Sequence, residues 1–170
     1  MIETKRLTLA PPVVGDFEEV WAMHQEPAVA KFLSQVMGAN GPDDAWRKLL
    51  RHIGHWSAFG MGVFVVRTRE GGDFVGEVGF GSFRRGLGEA FDTVPEAGWI
   101  LAPRWQGQGL ASEAAVAAHD WLMARAPERT VCLIAPENVV SLHVAAKLGY
   151  RAYMRADYKG KQVDLLERIG

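Results

Sequence analysis

The sequence predicts an α/β fold in which a single mixed sheet carries helices on both faces, and two observations predict it. Strand-like runs follow one another closely at residues 62–83 and again at 150–169, which is typical of antiparallel hairpins. Between them the chain passes from one strand-like run through a helical segment to another, which is typical of a parallel crossover. Since 170 residues are a usual length for one domain, we expect residues 1–170 to form a single domain.

The N-terminal third is predicted to hold one strand and two helices. Polar and apolar residues alternate in KRLTLAP (5–11), which favours a strand. Asp16 stands where it can cap a helix over residues 17–25, which Pro27 closes. A second helix is predicted from Pro42 to about Trp56, with an apolar face on one side. That face consists of Trp46, Leu49, Leu50 and Ile53.

The middle of the chain is predicted to hold three strands and a helix. Gly71 and Gly72 separate two strands within 62–83, and a polar loop then leads to the strand AGWILA (97–102). A helix is predicted to run from Leu110 to about Ala126. Its buried stripe is expected to be Leu110, Ala114, Ala117, Trp121 and Leu122.

The C-terminal part is predicted to hold a strand, a helix and a hairpin. RTVCLIAP (129–136) is a short apolar run rich in β-branched residues, which indicates a buried strand. A helix begins near Asn138, and Gly149 is a suitable residue to end it. The tail then folds back on itself at Lys159 and Gly160, as a two-residue hairpin turn does.

Composition and charge exclude several classes of function. The net charge of −1 provides no electrostatic basis for binding nucleic acid or an anionic membrane. The single cysteine, Cys132, cannot form an internal disulfide, which fits a cytoplasmic protein. The N-terminus shows no secretory signal, and no apolar run is long enough to span a bilayer. We therefore expect neither nucleic acid nor membrane as a partner.

The segment WQGQGLA (105–111) joins a strand to a helix through two closely spaced glycines. Gly107 and Gly109 permit positive φ and remove two side chains, so an oxyanion can approach the unpaired N–H groups of the helix start. Arg104, one turn earlier, can add a positive charge. An ordinary helix start with spare glycines explains the same residues. A Walker A loop is excluded because no Gly-Lys-Ser/Thr follows. A dinucleotide-binding (Rossmann) domain is disfavoured because Ser112 replaces the third glycine of its fingerprint.

Four blocks of sequence together resemble a known family. RWQGQGLA (104–111) is similar to the acyl-CoA-binding motif of GNAT-type N-acetyltransferases. TKRLTLAPPVVGDFEEV (4–20), FVGEVGF (74–80) and NVVSLHVAAKLGY (138–150) resemble further blocks of the ribosomal-protein N-acetyltransferase (RimJ/RimL-like) branch, in the same order. The resemblance implies a mostly antiparallel twisted sheet with a parallel, splayed strand pair that forms an acyl-CoA cleft. It also implies direct transfer of the acetyl group of acetyl-CoA to a primary amine.

The same resemblance implies where acetyl-CoA binds. The pantetheine arm would pair with the backbone at Ile100 and Leu101, as an added strand does. Asn138 would reach it from the opposite side, and Lys147 could meet the adenosine phosphate; a plain surface lysine is the alternative. The pyrophosphate would lie on the amides of one continuous run, which is Gln106, Gly107, Gln108, Gly109, Leu110 and Ala111.

The implied reaction needs a base for the amine, a donor for the oxyanion and a donor for the thiolate. Glu96 in EAGW matches the branch and is the preferred base, and Glu77 in GEVGF is the second candidate. The alternatives are a solvated carboxylate for Glu96 and an edge-strand charge for Glu77. A backbone N–H near residues 99–101 would stabilise the oxyanion. Ser141 is the thiolate donor expected from the branch, or it only bonds the first turn of its helix, with Tyr150 as a fallback.

The sequence does not identify the acceptor amine, and a homodimer is possible. A catalytically silent module that binds or senses acyl-CoA is the alternative function. A protein N-terminus, an aminoglycoside, a polyamine and an amino-acid derivative all fit, and Glu89 and Asp92 could attract a cation. His52 and His55 have a spacing compatible with a metal, but no third ligand is nearby, so we expect none. An aromatic acceptor pocket or a plain core could be formed by Trp21, Trp46, Trp56 and Phe59.

Overall fold

A single eight-stranded sheet organises the protein in the computed structural model, which describes residues 1–37, 41–125 and 128–170. The strand order across the sheet is β1-β2-β3-β4-β5-β6-β8-β7, and all neighbours are antiparallel except β5 and β6. The strands are β1 (Ile2–Glu3), β2 (Leu7–Ala10), β3 (Val63–Thr68), β4 (Phe74–Gly81), β5 (Glu96–Leu101), β6 (Arg129–Ile134), β7 (Arg151–Tyr158) and β8 (Lys161–Ile169). This confirms the mixed, mostly antiparallel sheet with one parallel pair.

The helices of the described residues pack against both faces of this sheet. They are α1 (Phe17–Gln25), α2 (Pro27–Met37), α3 (Pro42–Phe59), α4 (Glu89–Asp92), α5 (Leu110–Met123) and α6 (Val139–Lys147). Because side chains alternate along a strand, β3 directs Phe64 and Val66 toward the core beneath α5 and α6. It directs Val65 to the other face, against Val20 and Met23 of α1. No helix within the described residues is long and apolar enough to cross a membrane.

The parallel pair β5–β6 diverges almost as soon as it forms. Its one register pair is Glu96 with Val131, so β5 has no strand partner on that side from Gly98 to Leu101. On its other side β5 pairs with β4 along its whole length. The sheet is therefore split between the carboxyl-terminal ends of β5 and β6, as expected for the cleft.

Several predicted elements differ from the structure near the N-terminus. Helix α2 was not predicted; Pro27 ends the first helix and also starts this second one, since proline fits the first turn of a helix. Asp16 precedes α1 but makes no capping bond to it. Its carboxylate instead accepts hydrogen bonds from the backbone of Val13 (2.8 Å) and from Arg67 (2.9 Å). The small elements β1 and α4 were also not predicted.

The buried face of α3 is more polar than its apolar residues predict. Leu50 is 43% exposed, and Trp46 and Ile53 are half-buried. Three charged or titratable residues of this face are buried: Lys48, His52 and His55. Lys48 and His52 meet the carboxylate of Glu77 on the sheet, and His55 meets backbone carbonyls. Helix α5 follows its predicted stripe in part, since Ala117 and Trp121 are half-buried. It ends at Met123, and the predicted end at Ala126 lies outside the described residues.

Candidate active site

A cavity of about 900 Å³ occupies the split between β5 and β6 and extends onto the α1–α3 face of the sheet. The turn end of this cavity is formed by the strand-to-helix turn at 105–112 and by α6 with Asn138. The α3 end is formed by α2, α3, Phe83 and Arg85, with Glu77 and Glu96 on the sheet. The backbone of β5 runs along the wall between the two ends.

The turn end presents bare backbone to the cavity. Gly107 and Gly109 have φ angles of 74° and 76°, which confirms that the turn uses the left-handed conformation that glycine favours. A Cβ added to Gly107 would meet nothing within 4 Å, and one on Gly109 would meet only Arg6 Nη2 at 3.7 Å. Because both residues are glycines, no side chain fills the space in front of the turn, and a ligand can reach its backbone.

Arg6 braces this turn and was not identified from the sequence. Its Nη1 donates to the carbonyl of Gln108 (3.0 Å), and its Nη2 pairs with Glu113 in the first turn of α5 (2.7 Å). Glu113 also accepts from Thr4 (2.6 Å). The connection between β1 and β2 therefore holds the turn in position from outside the cavity.

Most residues predicted to bind the cofactor line the cavity. The lining residues among them are Ile100, Leu101, Gln106, Gly107, Gly109, Leu110, Ala111, Asn138 and Lys147. Arg104 and Gln108 are not among the lining residues. Arg104 donates to the carbonyl of Phe74 (3.3 Å), and the side chain of Gln108 donates to the carbonyl of Arg104 (2.9 Å). These two side chains stabilise the turn itself.

The two candidate carboxylates lie on the same face of the sheet. The register pairs Glu77 with Ile100, Gly79 with Gly98, and Gly81 with Glu96. The paired residues Gly79 and Gly98 therefore lie between Glu77 and Glu96 on this face. A Cβ on Gly98 would meet nothing within 4 Å. This leaves an open space between the carboxylates that a small ligand can enter.

Glu96 is buried and held by Arg85, so it is not a solvated strand-end carboxylate. Arg85 donates from Nε to Oε2 (2.7 Å) and from Nη2 to Oε1 (2.6 Å). Burial raises the pKa of Glu96 above its usual value, and the Arg85 charge opposes that shift only in part. Each carboxylate oxygen retains a second lone pair, so it can accept a further bond from water or ligand.

Glu77 is buried in the centre of the sheet rather than at an edge. Lys48 Nζ lies 2.5 Å from its Oε2, and the rings of His24 and His52 each lie 3.3 Å from a carboxylate oxygen. Burial alone would raise the pKa of Glu77, but Lys48 and the two imidazoles hold it well below its usual range. Burial lowers the pKa of His52 to about 4, so this histidine is neutral at pH 7.

The two hydroxyl groups that could donate a hydrogen bond to the CoA thiolate have different surroundings. Ser141 lines the cavity, and its backbone N–H donates to the side chain of Asn138 (3.2 Å), which caps α6. Tyr150 is not a lining residue: its hydroxyl is buried between His119 Nε2 (2.8 Å) and Thr130 Oγ1 (2.7 Å). Cys132 lines the cavity as a buried thiol, and burial raises its pKa well above the usual value.

The four aromatic residues for which the sequence left a pocket or a plain core open do not line the cavity: Trp21, Trp46, Trp56 and Phe59. Trp56 packs in the core against Phe64, with ring centroids 4.7 Å apart, and Trp46 packs on Phe17 at 5.2 Å. Phe59 is 56% exposed outside the cavity. The aromatic residues that do line the cavity are Phe32, Phe83, Trp99 and Trp105.

The loop acid Asp92 and the two histidines of the predicted pair have structural partners, whereas Glu89 is exposed. Asp92 accepts from the backbone N–H groups of Arg85 and Gly86 (2.8 and 2.9 Å) and so closes its own loop. His52 contacts Glu77, whereas His55 contacts the carbonyls of Arg51 and Ser82 (2.8 and 3.1 Å). No group of residues suited to a metal ion occurs in the described part of the chain.

Four residues that the structure brings together in the cavity were not predicted from the sequence. They are Lys48, Arg51, Phe83 and Arg85. Lys48, Arg51 and His52 are three and four residues apart, so they recur on one side of α3. That polar spacing was the available signal, and the apolar residues of the same helix obscured it.

Several acetyltransferases of known structure share this architecture. A family model described as an acetyltransferase (GNAT) domain matches residues 6–151. A Bordetella pertussis protein assigned to the GNAT family superposes with a TM-score of 0.86 and 35% identity over 98% of each chain. An acetyltransferase from Agrobacterium tumefaciens strain C58 has a TM-score of 0.80 and 26% identity, over 99% of this chain and 94% of that one.

The ribosomal-protein branch is also represented among the similar structures. RimL, a ribosomal L7/L12 alpha-N-protein acetyltransferase in complex with coenzyme A, has a TM-score of 0.75 over 98% of this chain and 95% of that one. Its 15% identity to this chain shows the shared fold alone. Since the family model spans most of the sequence and the split sheet has the expected form, the chain belongs to the GNAT family of acetyltransferases and is an acyltransferase.

Proposed function

We propose that this enzyme transfers the acetyl group of acetyl-CoA to a primary amine, either of a small molecule or of a protein N-terminus. The observation that carries the proposal is the continuous cavity, with bare helix-start backbone at one end and two buried carboxylates at the other. One end suits a diphosphate and the other suits an amine. The unpaired edge of β5 connects them.

The turn end fits acetyl-CoA, which supplies an activated acetyl group when bound. The amides of residues 106–111 would hold the pyrophosphate, because they start α5 and no side chain at Gly107 or Gly109 blocks them. The backbone of Ile100 and Leu101 would pair with the pantetheine arm along the open edge of β5. Asn138 and Lys147 would contact it from α6.

Glu96 is the base that we propose for the amine. A base works best when its pKa approaches the working pH. Burial moves the pKa of Glu96 upward, whereas Lys48 and two histidines keep that of Glu77 low. Glu96 would take the ammonium proton through a water on its remaining lone pairs. Glu77 would stay ionised and attract the incoming cation.

The backbone of β5 and Ser141 would complete the reaction. The N–H groups of residues 99–101 on the open edge would donate to the developing oxyanion. A carbon–nitrogen bond forms to the amine and the carbon–sulfur bond breaks. The ammonium loses two protons: the first goes to Glu96 before the attack, and the second goes to solvent as the tetrahedral intermediate collapses. The departing thiolate accepts a hydrogen bond from the Ser141 hydroxyl until solvent protonates it.

A panel of amines tests the proposed function. The enzyme is incubated with acetyl-CoA and with ribosomal-protein N-terminal peptides, aminoglycosides, polyamines and amino acids in turn. Free CoA is followed with a thiol reagent, and the product by its acetyl mass increment. We expect CoA release that depends on one class of amine. Acetyl-CoA binding without amine-dependent release anywhere in the panel would instead support a sensing module.

A further inference from the structure

The guanidinium group of Arg51, an exposed residue, lines the α3 end of the cavity. It is within electrostatic range of Glu96 and Glu77 but forms an ion pair with neither of them. Arg51 and Arg85 lie against the same ring, with their guanidinium carbons 5.2 and 4.9 Å from the centroid of Phe83. Arg85 binds Glu96 through both carboxylate oxygens. Arg51, across the ranges that the structure describes, makes no hydrogen bond or ion pair through its guanidinium group.

The α3 end carries an excess of positive charge. Among the described lining residues, the cations nearest to Glu77 and Glu96 are Lys48, Arg51 and Arg85. Residues 33–40 and 126–127 have no ionisable side chain, so they do not alter this balance. Lys48 and Arg85 are each paired with one of the two carboxylates. An additional anion would therefore be stabilised at this end.

The pyrophosphate of acetyl-CoA is too far away to be that anion. Glu96, next to Arg85, opens β5, and the turn that would hold the pyrophosphate lies beyond Leu101 at its other end. At about 3.3 Å per residue, these ends of the strand are roughly 16 Å apart. The anion that Arg51 suits must therefore belong to the acceptor.

We infer that the acceptor is a small amine that also bears a carboxylate, as a free amino acid does, and that Arg51 binds this carboxylate. The inference rests on the proposed acetyl transfer. The amine would lie over Gly98 between the two carboxylates, and Arg51, near Glu96, would donate two parallel hydrogen bonds to the carboxylate of the acceptor. A polyamine or an aminoglycoside would add further positive charge to walls that already carry an excess.

Matched acceptor pairs test the inference. Each proteinogenic amino acid is compared with its own amide, which keeps the amine and side chain but removes the negative charge. Peptides with a free N-terminus and an amidated C-terminus form a third arm, and spermidine a fourth. We expect wild-type kcat/KM to be about tenfold to a hundredfold higher for the preferred acid than for its amide, since a charged hydrogen bond is lost.

Two arginines of α3 provide a variant and its control. Arg51→Gln is expected to remove the difference in kcat/KM between the acid and its amide, chiefly by raising the KM of the acid, while the Kd for CoA stays unchanged. Arg51→Lys should restore part of the preference. Arg47→Gln is the control, because Arg47 lies one turn earlier, is exposed and pairs with Asp43 and Asp44 outside the cavity. It should leave both substrates unaffected.

The outcomes separate this inference from the proposed function. Acetylation of amides, peptides or spermidine with no preference for acids would overturn the inference and leave acetyl transfer intact. An equal loss on acid and amide in Arg51→Gln would also overturn it. No turnover with any amine would contradict the proposed function. In that case calorimetry with the amino acids on the CoA-saturated enzyme decides: binding that Arg51→Gln abolishes supports the site, and no binding overturns it.

Discussion

Glu77 and Glu96 have different basicity because their partners differ, although they share one face of the sheet. Glu77 is surrounded by Lys48, His24 and His52, and these groups hold its charge in place. Glu96 has one clamping partner, and burial raises its pKa. Because the pKa values of the two carboxylates are shifted in opposite directions, one can act as the base and the other as a fixed negative charge.

Glu96→Gln is the residue-scale test of the base. Without a base, only amine that is already neutral in solution reacts, and this fraction falls tenfold per pH unit below the pKa of the amine. We expect kcat/KM to fall about a hundredfold to ten-thousandfold at neutral pH, the usual size of general-base catalysis. The loss should shrink as the pH rises toward the pKa of the amine. Steady-state kinetics from about pH 6 to about pH 10 measures this.

Glu96→Gln also removes the anion that pairs with Arg85, so a control for the lost ion pair is needed. Glu167→Gln removes the carboxylate of another ion pair, with Arg129 at 2.8 Å, away from the cavity. It should leave the pH profile unaltered. If Glu96→Gln retains the wild-type profile, the base is Glu77 or water. Thermal melts of both variants separate lost chemistry from lost folding.

At the scale of elements, the strand-to-helix turn after β5 could be predicted because its chemistry is local. Two glycines at fixed spacing are enough to indicate positive φ and an exposed helix start. The side-chain partners of the same turn come from elsewhere in the chain. Arg6 reaches the carbonyl of Gln108 across 102 residues, and no spacing in the sequence indicates that contact.

Gly109→Val is the element-scale test of the turn. A valine at φ 76° would direct its methyl groups away from the protein, since Arg6 at 3.7 Å is the one atom near the added Cβ. The side chain would therefore stand where the pyrophosphate is proposed to bind. We expect the KM for acetyl-CoA to rise at least about tenfold, because this is the effect of losing one hydrogen bond to a charged group. Saturation kinetics in acetyl-CoA measures it.

Gly149→Val provides the matched control for this turn. Gly149 also has a positive φ, 86°, and open space around an added Cβ, but it ends α6 away from the cavity lining. Both variants should lose similar stability through backbone strain, about 1 to 2 kcal/mol. Only Gly109→Val should change the KM. An unchanged KM in that variant would refute binding at the turn.

At the scale of the whole molecule, hairpins and the parallel crossover were predictable because they depend on turn residues and on handedness rules. The charged interior of the cavity was not. Lys48 on α3 and Glu77 on β4 are 29 residues apart, and burial of the pair depends on how the helix packs across the sheet. A helix with both apolar and cationic residues does not reveal which of them face inward until the sheet beneath it is known.

Buried histidines predict how the stability of the whole protein depends on pH. Burial lowers the pKa of His52 and of His119 from 6.5 to about 4. As the pH falls, the unfolded chain binds these protons first, so stability is complete above about pH 6.5 and is lost between 6.5 and 4. At about 1.4 kcal/mol per pKa unit, each histidine accounts for about 3 kcal/mol of that loss.

Urea unfolding from about pH 7.5 to about pH 4.5 measures this dependence, with a slope of about 1.4 kcal/mol per pH unit expected for each histidine. His119→Gln should reduce the slope, since an amide can still bond the carbonyl of Ala115 and the hydroxyl of Tyr150 but cannot titrate. The same change at exposed His143 controls for the substitution itself. A free energy of unfolding that stays constant across this range would contradict the burial of both imidazoles in neutral form.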